Sequence, residues 1–331
     1  MQSHYSRPTV SAGPDGIPAE VFKHGGHHLT HRLHQFIHRA WTTGKLPQQW
    51  KDATIVTIYK KKGDRQVCGN SRGISLLLVA GKILAHVMLK RLLSQFVDII
   101  LPESQCGFCR GCSTIDMIFV ARLLQEKCSE QSRDLYLAFI DLTKAFDTVN
   151  RELLWQILRK FGCPPAFLTI LQEFHNGMKA KVTVGGRESD LFDVLVGVKQ
   201  GCVLAPVIFN LFLVAVTLAC RNGLPTNAGI PYTYRLDGSL FNLRRLKAET
   251  KVSNDRIYEL QYADDAAIPA HSAADLQSSL DTLSTAYRRA GLKFCLSSVV
   301  THDLPALSFS VHSDTLSNVK QFNSSYTWVT Y

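Results

Sequence analysis

Three carboxylates in this chain have a type and spacing that could do chemistry. Asp141 ends a continuous apolar run, Leu135–Ile140, and Asp264 and Asp265 stand side by side between Ile257–Gln261 and Ala266–Ile268. They are far apart in sequence, so only the fold can gather them. Gathered, they would raise one another's pKa unless positive charge stood between them, and divalent cations are the usual remedy. Hard oxygen donors and a retained hydration shell select Mg²⁺. Two such ions about 4 Å apart lower the pKa of an attacking hydroxyl and stabilise the leaving oxygen of an in-line phosphoryl transfer. An Asp-Asp pair alone is weak evidence, because exposed turns are rich in Asp and a solvent-facing hairpin is the commoner case.

Elements must hold these groups in place. Leu135–Ile140 lacks alternation, the pattern of a central strand buried on both faces, and it is expected to stop at Asp141. A helix follows, with Asn150 as N-cap, an apolar stripe through Leu153, Leu154, Ile157, Leu158 and Phe161, and Gly162 and Pro164 closing it. Two short strands around Tyr262-Ala263-Asp264-Asp265 make a hairpin. Earlier, Gly13-Pro14-Asp15-Gly16 forms a turn before a helix from Ala19 to Lys23, and a second helix runs from Leu29 to Thr42. Thr54–Tyr59 reads as a strand that carries Lys60, Lys61 and Lys62 to a hairpin tip. Apolar positions recur at helical spacing from Ser75 to Leu101. The longest apolar run, Val203–Cys220, is interrupted by Pro206 and Asn210 and is expected to be a buried core helix, with no membrane partner.

The 331 residues allow one large or two ordinary domains. With 46% hydrophobic and 19% charged residues the chain is globular, which excludes wholesale disorder. The net charge is +10, and its placement is uneven: residues 1–100 hold fourteen Lys and Arg against five Asp and Glu, and the rest is nearly balanced. A basic N-terminal third on a balanced globule points to a polyanionic partner. Nine cysteines without a secretory signal imply reduced thiols in an intracellular compartment, nucleus or cytoplasm. Cys106, Cys109, Cys112 and Cys128 invite a zinc or iron–sulfur reading, but a fourth ligand at proper spacing is missing and free thiols are expected. The histidines from His24 to His38 have helical spacing with no adjacent carboxylate or thiolate, the mark of a solvated face.

Five blocks, taken in order, resemble the reverse transcriptases of non-LTR (LINE-type) retrotransposons. They are Gly13-Pro14-Asp15-Gly16-Ile17-Pro18, Gly73-Ile74-Ser75-Leu76-Leu77, Phe139 to Asp147, Gly197-Val198-Lys199-Gln200-Gly201 and Tyr262-Ala263-Asp264-Asp265. The resemblance runs from about Gly13 to about Leu292. It implies an α+β right-hand polymerase with fingers over 1–125, a palm over 126–301 whose antiparallel sheet packs on helices, and a degenerate tail over 302–331. The length is expected to leave no room for a thumb. The implied activity is RNA-directed DNA polymerisation, with an RNA template, a DNA primer and deoxynucleoside triphosphates as partners. In the resemblance Asp141, Asp264 and Asp265 are the catalytic carboxylates that hold two Mg²⁺ ions. Phe146 stands where the family places a ring under the sugar, rejecting a 2′-hydroxyl by bulk. Gln200 belongs to a glycine-flanked motif close to the incoming nucleotide, and Lys60 and Arg72 resemble cations that hold the triphosphate.

Departures from the family pattern keep a second reading open, a catalytically inactive remnant that at most binds nucleic acid through basic fingers. Asn70-Ser71-Arg72 has Ser where the family has Tyr, and Cys109 and Cys112 stand where arginines are expected, each reachable by one C-to-T codon change. Cys295 and Ser298 occupy the positions of an Asn and of a Lys that would protonate the leaving pyrophosphate. A serine is a poor acid at neutral pH. The expected Tyr-Leu-Gly primer grip has no match in Phe322 to Tyr331.

Overall fold

A computed structural model describes residues 13–61, 63–93, 100–235, 252–301, 308–311, 314–316 and 319–321. Its strands are β1 (Ala53–Tyr59), β2 (Ser71–Leu76), β3 (Tyr136–Thr143), β4 (Lys179–Val184), β5 (Arg187–Glu188), β6 (Phe192–Asp193) and β7 (Ile230–Arg235). There follow β8 (Val252–Ile257), β9 (Leu260–Tyr262), β10 (Asp265–Ala270), β11 (Lys293–Thr301), β12 (Phe309–Val311), β13 (Asp314–Leu316) and β14 (Val319–Gln321). Helices and strands come in runs, with β4–β6, β7–β10 and β11–β14 following one another without an α-helix between them among the described residues, and the architecture is α+β. The chain divides into two compact units, Met1–Ile100 with Phe146–Phe212, and Leu101–Ala145 with Leu213–Tyr331.

In the first unit a sheet runs in the order β2-β1-β4-β5, with β6 also on β4. β1 pairs antiparallel with β2 and parallel with β4. The helical spacing read from Ser75 begins too early. Ser75 and Leu76 belong to β2, paired with Ile55 and Thr54, and the helix is Val79–Leu92. Cross-strand pairing outcompetes local periodicity there. Lys62 and residues 94–99 lie outside the described residues. The helix Gly26–Thr43 carries all its histidines exposed and ends on Gly44, whose φ of 65° supplies the left-handed cap. The helix Arg151–Lys160 starts as expected, with Asn150 Oδ1 accepting from the Leu153 amide at 3.0 Å.

In the second unit the sheet order is β14-β11-β3-β10-β9. β3 pairs antiparallel with both β10 and β11, and β14 joins β11 in parallel. The helix Thr114–Glu130 opens with a capping box between Ser113 and Asp116 and buries Met117, Ala121, Leu124 and Cys128, spaced i, i+4, i+7 and i+11. That stripe packs with Leu137, Leu260 and Ala267 in one apolar cluster. The helix Ala273–Arg289 repeats the device with Leu276, Leu280, Leu283 and Tyr287 and packs against β10 and β11.

The helix Ala205–Cys220 begins in the first unit and ends in the second. Among the described residues the segment Ala205–Gly223 is the one helical stretch long and apolar enough to cross a membrane, and 67% of its apolar window is buried inside the protein, as a core helix requires. Within 302–331 lie β12, β13 and β14, and Phe322 to Tyr331 lie outside the described residues.

Candidate functional site

β3 does not stop at Asp141. Leu142 is buried and Thr143 still pairs with Lys293, so the strand passes through the carboxylate, with Asp141 exposed and its two neighbours, Ile140 and Leu142, buried. Side chains of one parity share a face. Along the face of Asp141, Leu137 is buried in the apolar cluster and Phe139 is half-buried against it, while Asp141 is exposed. An ionised group at this point of the strand therefore keeps its water.

The register supplies its neighbours. The β10–β3 ladder runs from Ala270↔Tyr136 to Ala266↔Ile140, where the pairing ends one residue short of Asp265 and Asp141, and the charge of Asp141 acts on Asp265. On the other side β11 sets Cys295 opposite Asp141, with Cys295 Sγ 3.2 Å from Thr143 Oγ1. β9 and β10 are joined by a two-residue turn, Ala263-Asp264, closed by the pair Asp265↔Tyr262. Asp265 is thus the first residue of β10 and not part of the turn. Ala263 has a φ of 57°, in the left-handed region that such turns usually give to glycine.

Electrostatics reports how near the three carboxylates are. Asp265 is pushed up to about 6, first by desolvation, then by the charges of Asp264 and Asp141. Desolvation here means crowding by protein on the sheet side, since the residue keeps an open side toward solvent. Among the described residues no group of three or more His, Cys, Asp or Glu side chains is placed so that it could hold a metal ion. Mg²⁺ asks for less, since it keeps several waters and takes one or two carboxylates. Hard, mutually repelling donors on neighbouring strands fit that ion.

The remaining site residues of the sequence reading lie in the other unit. Arg72 pairs with Ile58, and Lys60 is two residues beyond Ile58, so both cations project from the same face of the β1–β2 pair. Both are exposed, and Lys60 Nζ donates to the Gly69 carbonyl at 3.2 Å. Phe146 is half-buried and stacks on Phe209 of the helix Ala205–Cys220, centroids 4.5 Å apart, which fixes the ring's plane.

Gln200 sits on a loop stitched in from two sides. The Val198 amide donates to the Phe146 carbonyl at 2.7 Å and the Ser75 amide donates to the Gln200 carbonyl at 2.8 Å. Glycines are obligatory on this loop. A Cβ on Gly197, φ 79°, would lie 2.5 Å from the Asp147 carbonyl oxygen, and one on Gly201, φ 107°, 2.8 Å from that of Ser75. Sequence reasoning missed what holds the loop. Arg151 Nε donates to the Gly197 carbonyl at 2.8 Å, Nη1 to those of His175 at 2.9 Å and Val194 at 2.8 Å, and Nη2 to that of Val196 at 3.2 Å. Burial lowers this guanidinium to about 10, so it remains charged at neutral pH. Lys199, also buried and lowered to about 8 by desolvation, donates to the Lys51 carbonyl. Lys199, inside the glycine-flanked motif, was the available signal, and in sequence it reads as an ordinary surface charge.

The cysteines are all free. Cys106 is pushed up to about 12, by burial first and then by Cys112.

A family model described as "Reverse transcriptase (RNA-dependent DNA polymerase)" matches residues 58–297. Similar curated proteins include the "Transposon TX1 uncharacterized 149 kDa protein" of Xenopus laevis, 26% identical over 81% of this chain and 19% of that protein. The "RNA-directed DNA polymerase from mobile element jockey" of Drosophila melanogaster is 27% identical over 70% of this chain and 22% of its own length. The "Retrovirus-related Pol polyprotein from type-2 retrotransposable element R2DM" of Drosophila melanogaster is 29% identical over 61% of this chain and 18% of its own length. The chain therefore spans about a fifth of the length of these relatives.

Proposed function

The chain belongs to the reverse transcriptase (RNA-dependent DNA polymerase) family, and from that premise we propose that it extends a DNA primer on an RNA template with deoxynucleoside triphosphates, as the core of a non-LTR retrotransposon polymerase. The observation that supports this reading is the β3–β10 register, whose last pair, Ala266↔Ile140, stands next to Asp265 and Asp141, with Asp264 in the adjoining turn. Asp141, Asp264 and Asp265 would hold two Mg²⁺ ions. When bound, the ions supply a lowered pKa for the primer 3′-hydroxyl and charge neutralisation for the pyrophosphate that leaves the α-phosphorus. Lys60 and Arg72 grip the triphosphate, Lys as a point charge and Arg by its fork. Phe146, stacked on Phe209, rejects the ribose 2′-hydroxyl, and Gln200 lines the nucleotide on a loop whose flanking glycines let it lie close to neighbouring main chain. In this reading 1–125 are fingers, 126–301 palm and 302–331 tail. Nine free thiols support a reducing, intracellular setting in the nucleus or cytoplasm.

A second reading, an inactive remnant that binds nucleic acid, is favoured by Cys295 and Ser298 on β11, where the family pattern has Asn and Lys. One experiment separates the two. The purified chain is given a primer annealed to RNA, Mg²⁺ and a single labelled deoxynucleotide. Addition of one nucleotide complementary to the template supports the polymerase, and binding without addition supports the remnant.

A further inference from the structure

Gln105 is only 1% exposed, and both ends of its side-chain amide are engaged. Oε1 accepts from the Gly107 amide at 2.8 Å and from the Ala263 amide at 2.9 Å. Nε2 donates to Gln261 Oε1 at 3.1 Å and to the Ala263 carbonyl at 3.3 Å. The side chain thus holds both main-chain polar groups of the one residue whose backbone is left-handed in the turn before Asp264. The main chain reinforces the grip, with the Gln261 amide donating to the Ser104 carbonyl at 2.7 Å and the Cys106 amide to the Gln261 carbonyl at 2.9 Å. Gly107 completes it. A Cβ there would lie 2.0 Å from the Ala263 nitrogen, so the two segments meet backbone to backbone.

An alanine adopts this conformation only where its surroundings over-determine it. We infer that Gln105, seated by Gly107, is a positioning residue for the Ala263–Asp264 turn: it holds Ala263 left-handed and so sets the direction in which Asp264 and Asp265 leave the hairpin. The inference rests on the polymerase reading only in treating those carboxylates as ion ligands. Gln105 touches no reacting atom and acts through the turn.

The test uses the full chain with Gln105→Ala, Gln105→Glu and the pair Gln105→Ala with Ala263→Gly. Glutamate keeps the acceptors and loses both donors, and it carries the test if Gln105→Ala fails to fold. Glycine removes the penalty for a left-handed φ and should rescue the turn without restoring any hydrogen bond. The first readout is amide exchange in metal-free protein. In Gln105→Ala, exchange at Ala263 should rise by at least about tenfold while the β3 amides keep their protection; Gln105→Glu still accepts from that amide, so there the loss is read in the second measurement. The second is Mn²⁺ binding followed by electron paramagnetic resonance. Affinity should fall by about tenfold or more in Gln105→Ala, the range for outer-shell supports, and recover largely in the double variant. Unchanged protection at Ala263, or an affinity loss that Ala263→Gly does not relieve, would overturn the inference. If the wild type takes up no Mn²⁺, the metal reading fails and exchange at Ala263 alone decides the clamp.

Discussion

Asp265 binds its proton more tightly in the folded protein than in an unfolded chain, at about 6 against the ordinary 3.8, because burial and two neighbouring carboxylates disfavour its charge. Between those values the native state holds a proton that the unfolded state has released. Stability therefore falls as pH rises through the window, and the full penalty is present above about 6. In metal-free protein, Asp265→Asn should raise the melting temperature at neutral pH and give no such gain below 3.8, which calorimetry at the two pH values would read. Adding Mg²⁺ at neutral pH should stabilise the wild type more than the variant. Phe146 offers a separate test: in a preparation that extends primers, Phe146→Ala should incorporate ribonucleotides, and unchanged sugar selectivity would remove its role as a gate.

Single elements show what was legible in the sequence and what was not. Asn150 before an amphipathic stripe announced a capped helix, and Asn150→Ala should cost about 1 kcal/mol in a denaturant titration. The run Leu135–Ile140 announced β3, but a charge was read as its end. It is not the end, since a strand open on one face accepts Asp141 there while Ile140 and Leu142 stay buried. Ser75 and Leu76 were lost to the following helix because their partners, Ile55 and Thr54, are remote in sequence. Gln105 and Arg151 were invisible for the same reason. Each donates its side-chain hydrogen bonds to residues remote in sequence, Gln105 to Gln261 and Ala263 and Arg151 to carbonyls of residues 175–197. Arg151→Met should leave the carbonyls of His175, Val194, Val196 and Gly197 without that donor, lowering stability by about 2 kcal/mol and loosening the loop before Gln200. Urea midpoints and amide exchange over 194–200 would check both, and a loss of stability without faster exchange there would argue against the loop's dependence on this residue.

For the molecule as a whole, charge is the property that bears on partners. Fourteen cations against five anions in residues 1–100 form the basic third of a chain of net charge +10, and a template–primer would meet it through phosphates. Affinity for a primer–template should therefore fall steeply with salt, with a log–log slope of about −3 if some three phosphates are neutralised. Salt-independent binding would contradict that assignment. The order of the five sequence blocks carried the family, and strand register then explained why residues as distant as Asp141 and Asp265 become neighbours. The most direct measurement is extension of a DNA primer on an RNA template by the purified chain with Mg²⁺ and all four deoxynucleotides, wild type beside Asp264→Asn. RNA-templated product from the wild type, lost in a variant that still binds primer–template, is the expected result. Equal product from the Asp264→Asn protein would contradict the assignment of the carboxylates.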